Sequence, residues 1–348
     1  MFPIAYAICK SESKDTWIWF LQNLLVDIEN SRNDGWCSTS DQQKGLQEAL
    51  KELFPNSEHR FCVRHLYSNF RTIFKGKQLK DAMWACARAT TSAKFQTAME
   101  YVKALDKYAY AYLSKLDPAV WSMHGFTCFV KSDALCSNIS ECYNSFIKVA
   151  REQPIITCLE TIRKLLMRRL HEKRIGIEKY CGDICPRISK TLEDNEKVSM
   201  HCNVTYGGGH SMEVEHTIHG SFVVNVLTRS CTCRIWDLTG IPCCHACAAI
   251  RQMRGNPADY VHQSYQKLEF MKAYDYHIQP IHGPTEWPQQ EGVRVLPLLF
   301  RRQAGRPRRR RIREVGEPVN VHKKSKSGII VTCGCCVMDH NCMNHKHS

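Results

Sequence analysis

The chain has 348 residues, 43% of them hydrophobic, and Lys plus Arg exceed Asp plus Glu by 48 to 34, a net charge of +14. That length supports two domains and a tail, with apolar content sufficient for real cores. No run approaches the ~20 apolar residues of a membrane span, and no basic stretch precedes the short apolar run after Met1 as a signal peptide requires, so a membrane partner and a secreted scaffold are both set aside.

Residues 2–9 read as a buried-type strand, and residues 13–30 follow with helical periodicity, Trp17, Phe20, Leu21, Leu24, Leu25 and Ile28 on one face. Asn33-Asp34-Gly35 is a turn. Asp41 opens a helix that ends before Pro55, with Ser40 and Gln43 placed to form a capping box; Gly35 to Ser40, just before it, is only weakly strand-like. Helices are expected over 59–75, 77–90 and 93–116, then over 138–151. After Pro154 a long amphipathic helix carries Ile155, Cys158, Leu159, Ile162, Leu165, Leu166 and Leu170 on one side and Arg163, Lys164, Arg168 and Arg169 on the other. Residues 198–229 change to strand character, with a turn at Gly207-Gly208-Gly209 and a strand over 222–227. Pro280 to Pro297 reads as a linker. Eleven Lys or Arg against two Glu lie between Arg301 and Lys326, so most of the positive surplus sits in one segment, which is expected to be disordered and to attract a polyanion.

Twenty cysteines in a chain with no secretory features are buried fillers or metal ligands. Clustering separates the two. Cys231-Thr-Cys233, nine residues, then Cys243-Cys-His245 is the strongest pattern in the chain. Zinc takes four sulfur or nitrogen donors in a tetrahedron. The first pair follows a strand, Gly240 and Pro242 turn the chain back, and the second pair opens a helix whose N-terminus favours thiolate. Cys231, Cys233, Cys243 and His245 are the candidate zinc ligands, with Cys247 an alternative to His245.

This segment, with Arg234-Ile-Trp-Asp-Leu-Thr-Gly-Ile-Pro between the pairs, resembles the SWIM zinc finger of plant Mutator-like (MuDR-type) transposases and their far-red-response relatives. The resemblance extends upstream. Phe2 to Ala7 is similar to a strand of that family's RNase H-like domain, Ser40-Asp41 to the block of the second catalytic aspartate, Cys62-Val-Arg-His65 to a C-x-x-H pair, and Asn138 to Phe146 to the block of the catalytic glutamate. The resemblance implies a DDE transposase in which carboxylates hold divalent metal, with Asp41 and Glu141 as the catalytic candidates and Mg²⁺ as the ion that suits them. Without the resemblance, Asp41 reads as a helix cap and Glu141 as a surface glutamate. Cys62 and His65 read as half a metal site or as a buried thiol beside a satisfied histidine. In that family the first catalytic aspartate lies on a strand before Phe2. The expectation is therefore a catalytically inactive remnant, with Mg²⁺ at Asp41 and Glu141 only in a longer form.

In the tail, Gly305-Arg306-Pro307 followed by Arg308, Arg309, Arg310 and Arg311 resembles an AT-hook, whose arginines enter an A·T minor groove, and doubles as a nuclear-import signal. The terminal Cys333, Cys336, His340 and His345 resemble a degenerate CCHC zinc knuckle. The expected fold is α+β: a partial RNase H-like α/β core with a helical insertion over 1–175, a SWIM-type zinc region over 198–262, a Pro/Arg-rich linker and basic tail over 280–328, and the knuckle over 329–348. The expected function is a zinc-binding, DNA-associated, nuclear remnant of a transposase. The rivals are an active transposase in longer form and a SWIM-mediated protein-interaction module in transcription.

Overall fold

A computed structural model describes residues 2–28, 36–218 and 220–288. Its architecture is α+β, with helices predominating over two small sheets. Helix α1 (Lys14–Asp27) starts at Ser13, whose side chain and that of Thr16 cap each other's backbone N–H in a reciprocal box. Strands β1 (Cys37–Ser40) and β2 (Glu58–Phe61) run parallel, with α2 (Lys44–Leu53) as their crossover. Helices α1 and α2 pack through Leu21, Ala49 and Leu50.

Three local expectations are corrected here. Residues 2–9 are extended but belong to no strand; Phe2 instead packs edge-on against Tyr274, with ring centroids 5.2 Å apart. Phe2, Ile4 and Tyr6 line an open groove of about 570 Å³ with Leu166 and Leu170. Their apolar groups therefore find a helix and not a sheet neighbour. Ser40 does not cap α2, because it ends β1 and its hydroxyl donates to the Asp41 carbonyl at 2.8 Å. Gln43 is the cap, accepting from the Leu46 N–H. Finally, Glu58–Phe61 is strand, and helix α3 begins only at Val63 (Val63–Ile73).

The charged look of β2 hid its burial. Arg60 is 1% exposed. Its guanidinium donates to both Glu58 oxygens at 2.9 and 3.0 Å and to the Ser132 carbonyl at 2.7 Å, and lies 4.0 Å over the Phe126 ring. Glu58 in turn accepts from the Thr127 amide and hydroxyl. The pair thus ties β2 to the loop beyond the helical region.

That region comprises α3, α4 (Lys77–Arg88), α5 (Ser92–Leu105) and α6 (Lys107–Ser114), packed around Phe70, Met83, Val102, Leu113 and Trp121. The single helix expected over 93–116 is broken at Asp106, whose carboxylate accepts from the Tyr108 and Ala109 N–H groups and starts α6. After a loop come α7 (Asn138–Phe146), α8 (Lys148–Arg151), the long α9 (Ile155–Glu178) and α10 (Pro186–Ser199). No helix of the described residues is long and apolar enough to cross a membrane.

The second sheet is an antiparallel ladder of β3 (Cys202–Tyr206), β4 (Ser211–His216), β5 (Gly220–Asn225) and β6 (Ser230–Cys231). Met212, Val214 and His216 alternate inward along β4 while Ser211, Glu213 and Glu215 face out. Short α11 (Ile235–Thr239) and α12 (Cys244–Gln252) cover the inner face, with Trp236, Ala246, Ala249 and Ile250 in the core. Helix α10 lies behind α12 through Leu192 and Cys247. A final helix, α13 (Lys267–Tyr274), packs on α9.

Replacing Glu58 by Ala strands the buried Arg60 charge and is expected to cost about 3–5 kcal/mol. The measurement is the urea midpoint at constant m-value. An unmoved midpoint would show that the pair does not hold β2 in place.

Candidate metal centre

Strand β6 delivers Cys231 to the core, and the chain then reverses over two residues to bring Cys233 alongside it. The turn is fixed at both ends. The Cys231 N–H donates to Asp237 Oδ2 at 3.0 Å, and the Arg234 N–H donates to the Cys231 carbonyl at 2.7 Å. Arg234 adopts a left-handed backbone, φ 63°, which few non-glycine residues tolerate. Its side chain compensates by entering a cage of carbonyls from Thr90, Met123, His124 and Phe126. This guanidinium joins the second sheet to the helical region. Gly240, at φ 71°, then closes α11 in the left-handed region, where a Cβ would meet His262 at 2.7 Å. The chain returns through Pro242, placing Cys243 at the N-cap of α12 and His245 in its first turn.

Cys231, Cys233, Cys243 and His245 converge as the sequence implied. Their donor atoms all lie within 4.8 Å of one another, and each residue is at most 4% exposed. The Cys233 and Cys243 sulfurs are 3.5 Å apart, and His245 Nδ1 is 3.7 Å from Cys231 Sγ and 3.8 Å from Cys243 Sγ. A tetrahedron with Zn–S of ~2.3 Å and Zn–N of ~2.0 Å has edges of roughly 3.5–3.8 Å. The donor set and its spacing therefore fit zinc. The thiols are not paired as disulfides.

Electrostatics agree. Hydrogen bonds from Cys231 and then Cys243 hold the Cys233 thiol well below its usual range. The same sharing pushes Cys231 up, chiefly through Cys233, and Cys243 up, chiefly through Cys231. Burial acts to lower His245, but the facing Cys231 and Cys233 sulfurs outweigh it and hold the ring at about 9. The cluster thus confines negative charge with an imidazolium beside it. The Phe222 ring stacks on His245 at 4.0 Å and fixes its plane. His245 Nε2 is buried and has no protein partner.

Cys247 is settled as a non-member: its thiol donates to the Pro242 carbonyl at 3.6 Å and packs with Leu192, Ile241 and Val261. The sequence reading passed over Asp237, Arg234 and Phe222, which position the ligands without joining them. Asp237 is the one acid between the two ligand pairs and Arg234 the one base.

The other candidates do not assemble in this way. Asp41 is exposed just past the C-terminal end of β1, its carboxylate accepting from the Gln43 N–H at 3.3 Å. Glu141, on α7, is ion-paired with Arg64. Among the described residues neither joins a group of three or more metal-ligating side chains within the 4.8 Å spacing, and neither do Cys62 and His65. Cys62 accepts from the Ser137 N–H at 3.2 Å, while His65 Nδ1 is buried without a partner. Arg306, Arg308, Arg309, Arg310, Arg311 and the terminal Cys333, Cys336, His340 and His345 lie outside the described residues.

Comparison with known families matches residues 1–69 to the MULE transposase domain and residues 222–253 to the SWIM zinc finger. The second match spans all four clustered donors; the first includes Asp41 but not Glu141. None of the curated proteins matches the chain.

Below about pH 9, a cation entering the cluster must displace the proton on His245 as well as those on Cys231 and Cys243. Zinc affinity is thus expected to fall as pH falls. Calorimetry in buffers of different ionisation enthalpy should show proton release on zinc binding at neutral pH. Binding without proton release would remove these groups from the ligand set.

Proposed function

We propose that this chain, which is of the Mutator-like transposase type, is a nuclear DNA-associated protein whose SWIM module is organised by a structural zinc ion. The observation that carries the reading is the four-donor cluster, sealed from solvent and spaced for a tetrahedral ion. The SWIM match over the same residues supports it. Zinc supplies bonds here, not chemistry, since all four positions are filled by protein and no open position remains for substrate. The module's sheet is short and its helices are few, so ligand bonds replace core it cannot otherwise build. Complete chelation is expected to strip hydrogen-exchange protection from residues 220–260, with recovery on adding zinc. Protection that survives zinc removal would show that the module folds on apolar packing alone.

DNA association is supported by the transposase-domain match and by charge. On α9 the basic side divides. Arg163 is tied to Glu160 and Arg169 lies over Phe146, whereas Lys164, Arg168 and Lys173 are exposed. Together with Arg306, Arg308, Arg309, Arg310 and Arg311 of the tail, they form the proposed phosphate-contacting set. Affinity for duplex DNA should fall steeply with salt, as counterions are released. Replacing the five tail arginines by Ala is expected to flatten the slope of log K against log salt by up to about 4. A partner bound with no salt dependence would favour the protein-interaction reading instead.

One observation favours a second reading, metal-dependent strand cleavage. Asp41 stands just past the C-terminal end of a parallel strand within the transposase-domain match. Mg²⁺-dependent nicking lost in both Asp41→Ala and Glu141→Gln would establish it. Nicking that persists in both variants would remove these acids from the chemistry.

A further inference from the structure

Two more thiols stand together outside the buried cluster. Cys202 opens β3 and Cys244 is the first residue of α12. Their sulfurs and a ring nitrogen of His245 lie within 4.8 Å of one another. Cys202 is the register partner of the inward-facing His216, which places it on the face of the sheet that α12 covers. Unlike the four sealed donors, both residues are half-buried. Cys202 also lines an open groove of about 440 Å³, whose walls include Ser199, Asn203 and Arg251. An Arg251 nitrogen lies 3.4 Å from the Met200 thioether. His245 itself is 4% exposed, and its Nε2 has no partner. In zinc sites the second imidazole nitrogen normally donates to a carboxylate, carbonyl or water.

We propose that Cys202 and Cys244 form a second metal site, taking a soft monovalent ion of the copper(I) class. The donor set decides the ion. Two sulfurs with at most one imidazole nitrogen are at least one donor short of a closed, all-protein zinc tetrahedron, and the set contains no carboxylate to attract a hard cation. Thiolate donors favour soft ions, copper(I) among them. Binding breaks two S–H bonds, forms two metal–sulfur bonds and passes two protons to solvent, so no oxidant or reductant is required. The resulting dithiolate complex carries one net negative charge, which Arg251 on the groove wall offsets. The groove supplies the entry path that the sealed cluster lacks. This site goes beyond the zinc reading, because neither sulfur belongs to the four-donor set.

Silver(I) is a redox-inert probe of the same class. One equivalent is added to the zinc-loaded full-length chain, followed by maleimide labelling and peptide mass spectrometry. Labelling of Cys202 and Cys244 is expected to slow together by about tenfold or more, with zinc content unchanged. The Cys202→Ser, Cys244→Ser double variant is expected to keep its zinc and take up one silver ion fewer. Unchanged labelling of the pair would overturn the proposal. So would silver that expels zinc while Cys202 and Cys244 still label freely. A preparation that never holds zinc would count against the structural-zinc reading, whereas protection of Cys202 and Cys244 is scored separately.

Discussion

Three thiols and an imidazole crowded within 4.8 Å, and almost closed to water, impose a condition on everything around them. Sulfur and nitrogen donors packed so closely must share protons or share a cation. Proton sharing pulls the group in opposite directions: the neighbouring thiols lower Cys233, Cys231 and Cys243 are raised, and the facing sulfurs raise His245 against its burial. A divalent ion resolves that competition by serving all four donors at once. The local backbone is organised to the same end, with Asp237 holding the Cys231 turn and Phe222 holding the imidazole plane.

Arg234 extends this constraint across the molecule. It sits inside the ligand loop, and its left-handed backbone is part of the turn that presents Cys233. Its side chain reaches carbonyls in the loop around residues 123–126 and at the end of α4. Lys131 reinforces the join by donating to the Asp237 carbonyl at 2.8 Å. The metal cluster and the helical region therefore share a wall. The loop that Arg234 enters is also the loop that Arg60 and Glu58 tie to β2. Two guanidiniums, the buried one of Arg60 and the half-buried one of Arg234, connect the parallel strand pair to the second sheet. Buried charge of this kind is costly to desolvate and has to be matched by fixed acceptors, so it favours one docking geometry over others.

The two family matches fall on the two ends of this arrangement, over residues 1–69 and 222–253. What lies between them is mostly helix, and besides its apolar cores it is tied to both matched segments by the side chains of Glu58, Arg60, Lys131 and Arg234. The parallel pair offers Asp41 at a strand end, but Glu141 is held by Arg64. At the SWIM end the donors assemble completely. The structure is thus more explicit about a binding module than about chemistry.

Alternation and spacing are local properties, and where function depended on them the amino-acid order alone was sufficient. C-x-C, nine residues, C-x-H marked the four side chains that converge, since two short pairs joined by a Gly- and Pro-bearing turn have few ways to avoid meeting. Period-3.6 patterns located α1 and α9, because each has one strongly apolar side. Other features depended on distant partners and stayed hidden. Phe2 to Ile8 has the composition of a strand, but a strand exists only if another edge pairs with it, and here the apolar groups settle on α9 and α13. Residues 59–61 read as the start of a helix, yet they lie in β2, and Arg60 is buried because a glutamate, a carbonyl and an aromatic ring wait for it. Cys247 and His245 looked interchangeable two residues apart. Only the rotation of α12 against the sheet put His245 in the cluster with the three thiols and Cys247 in the core.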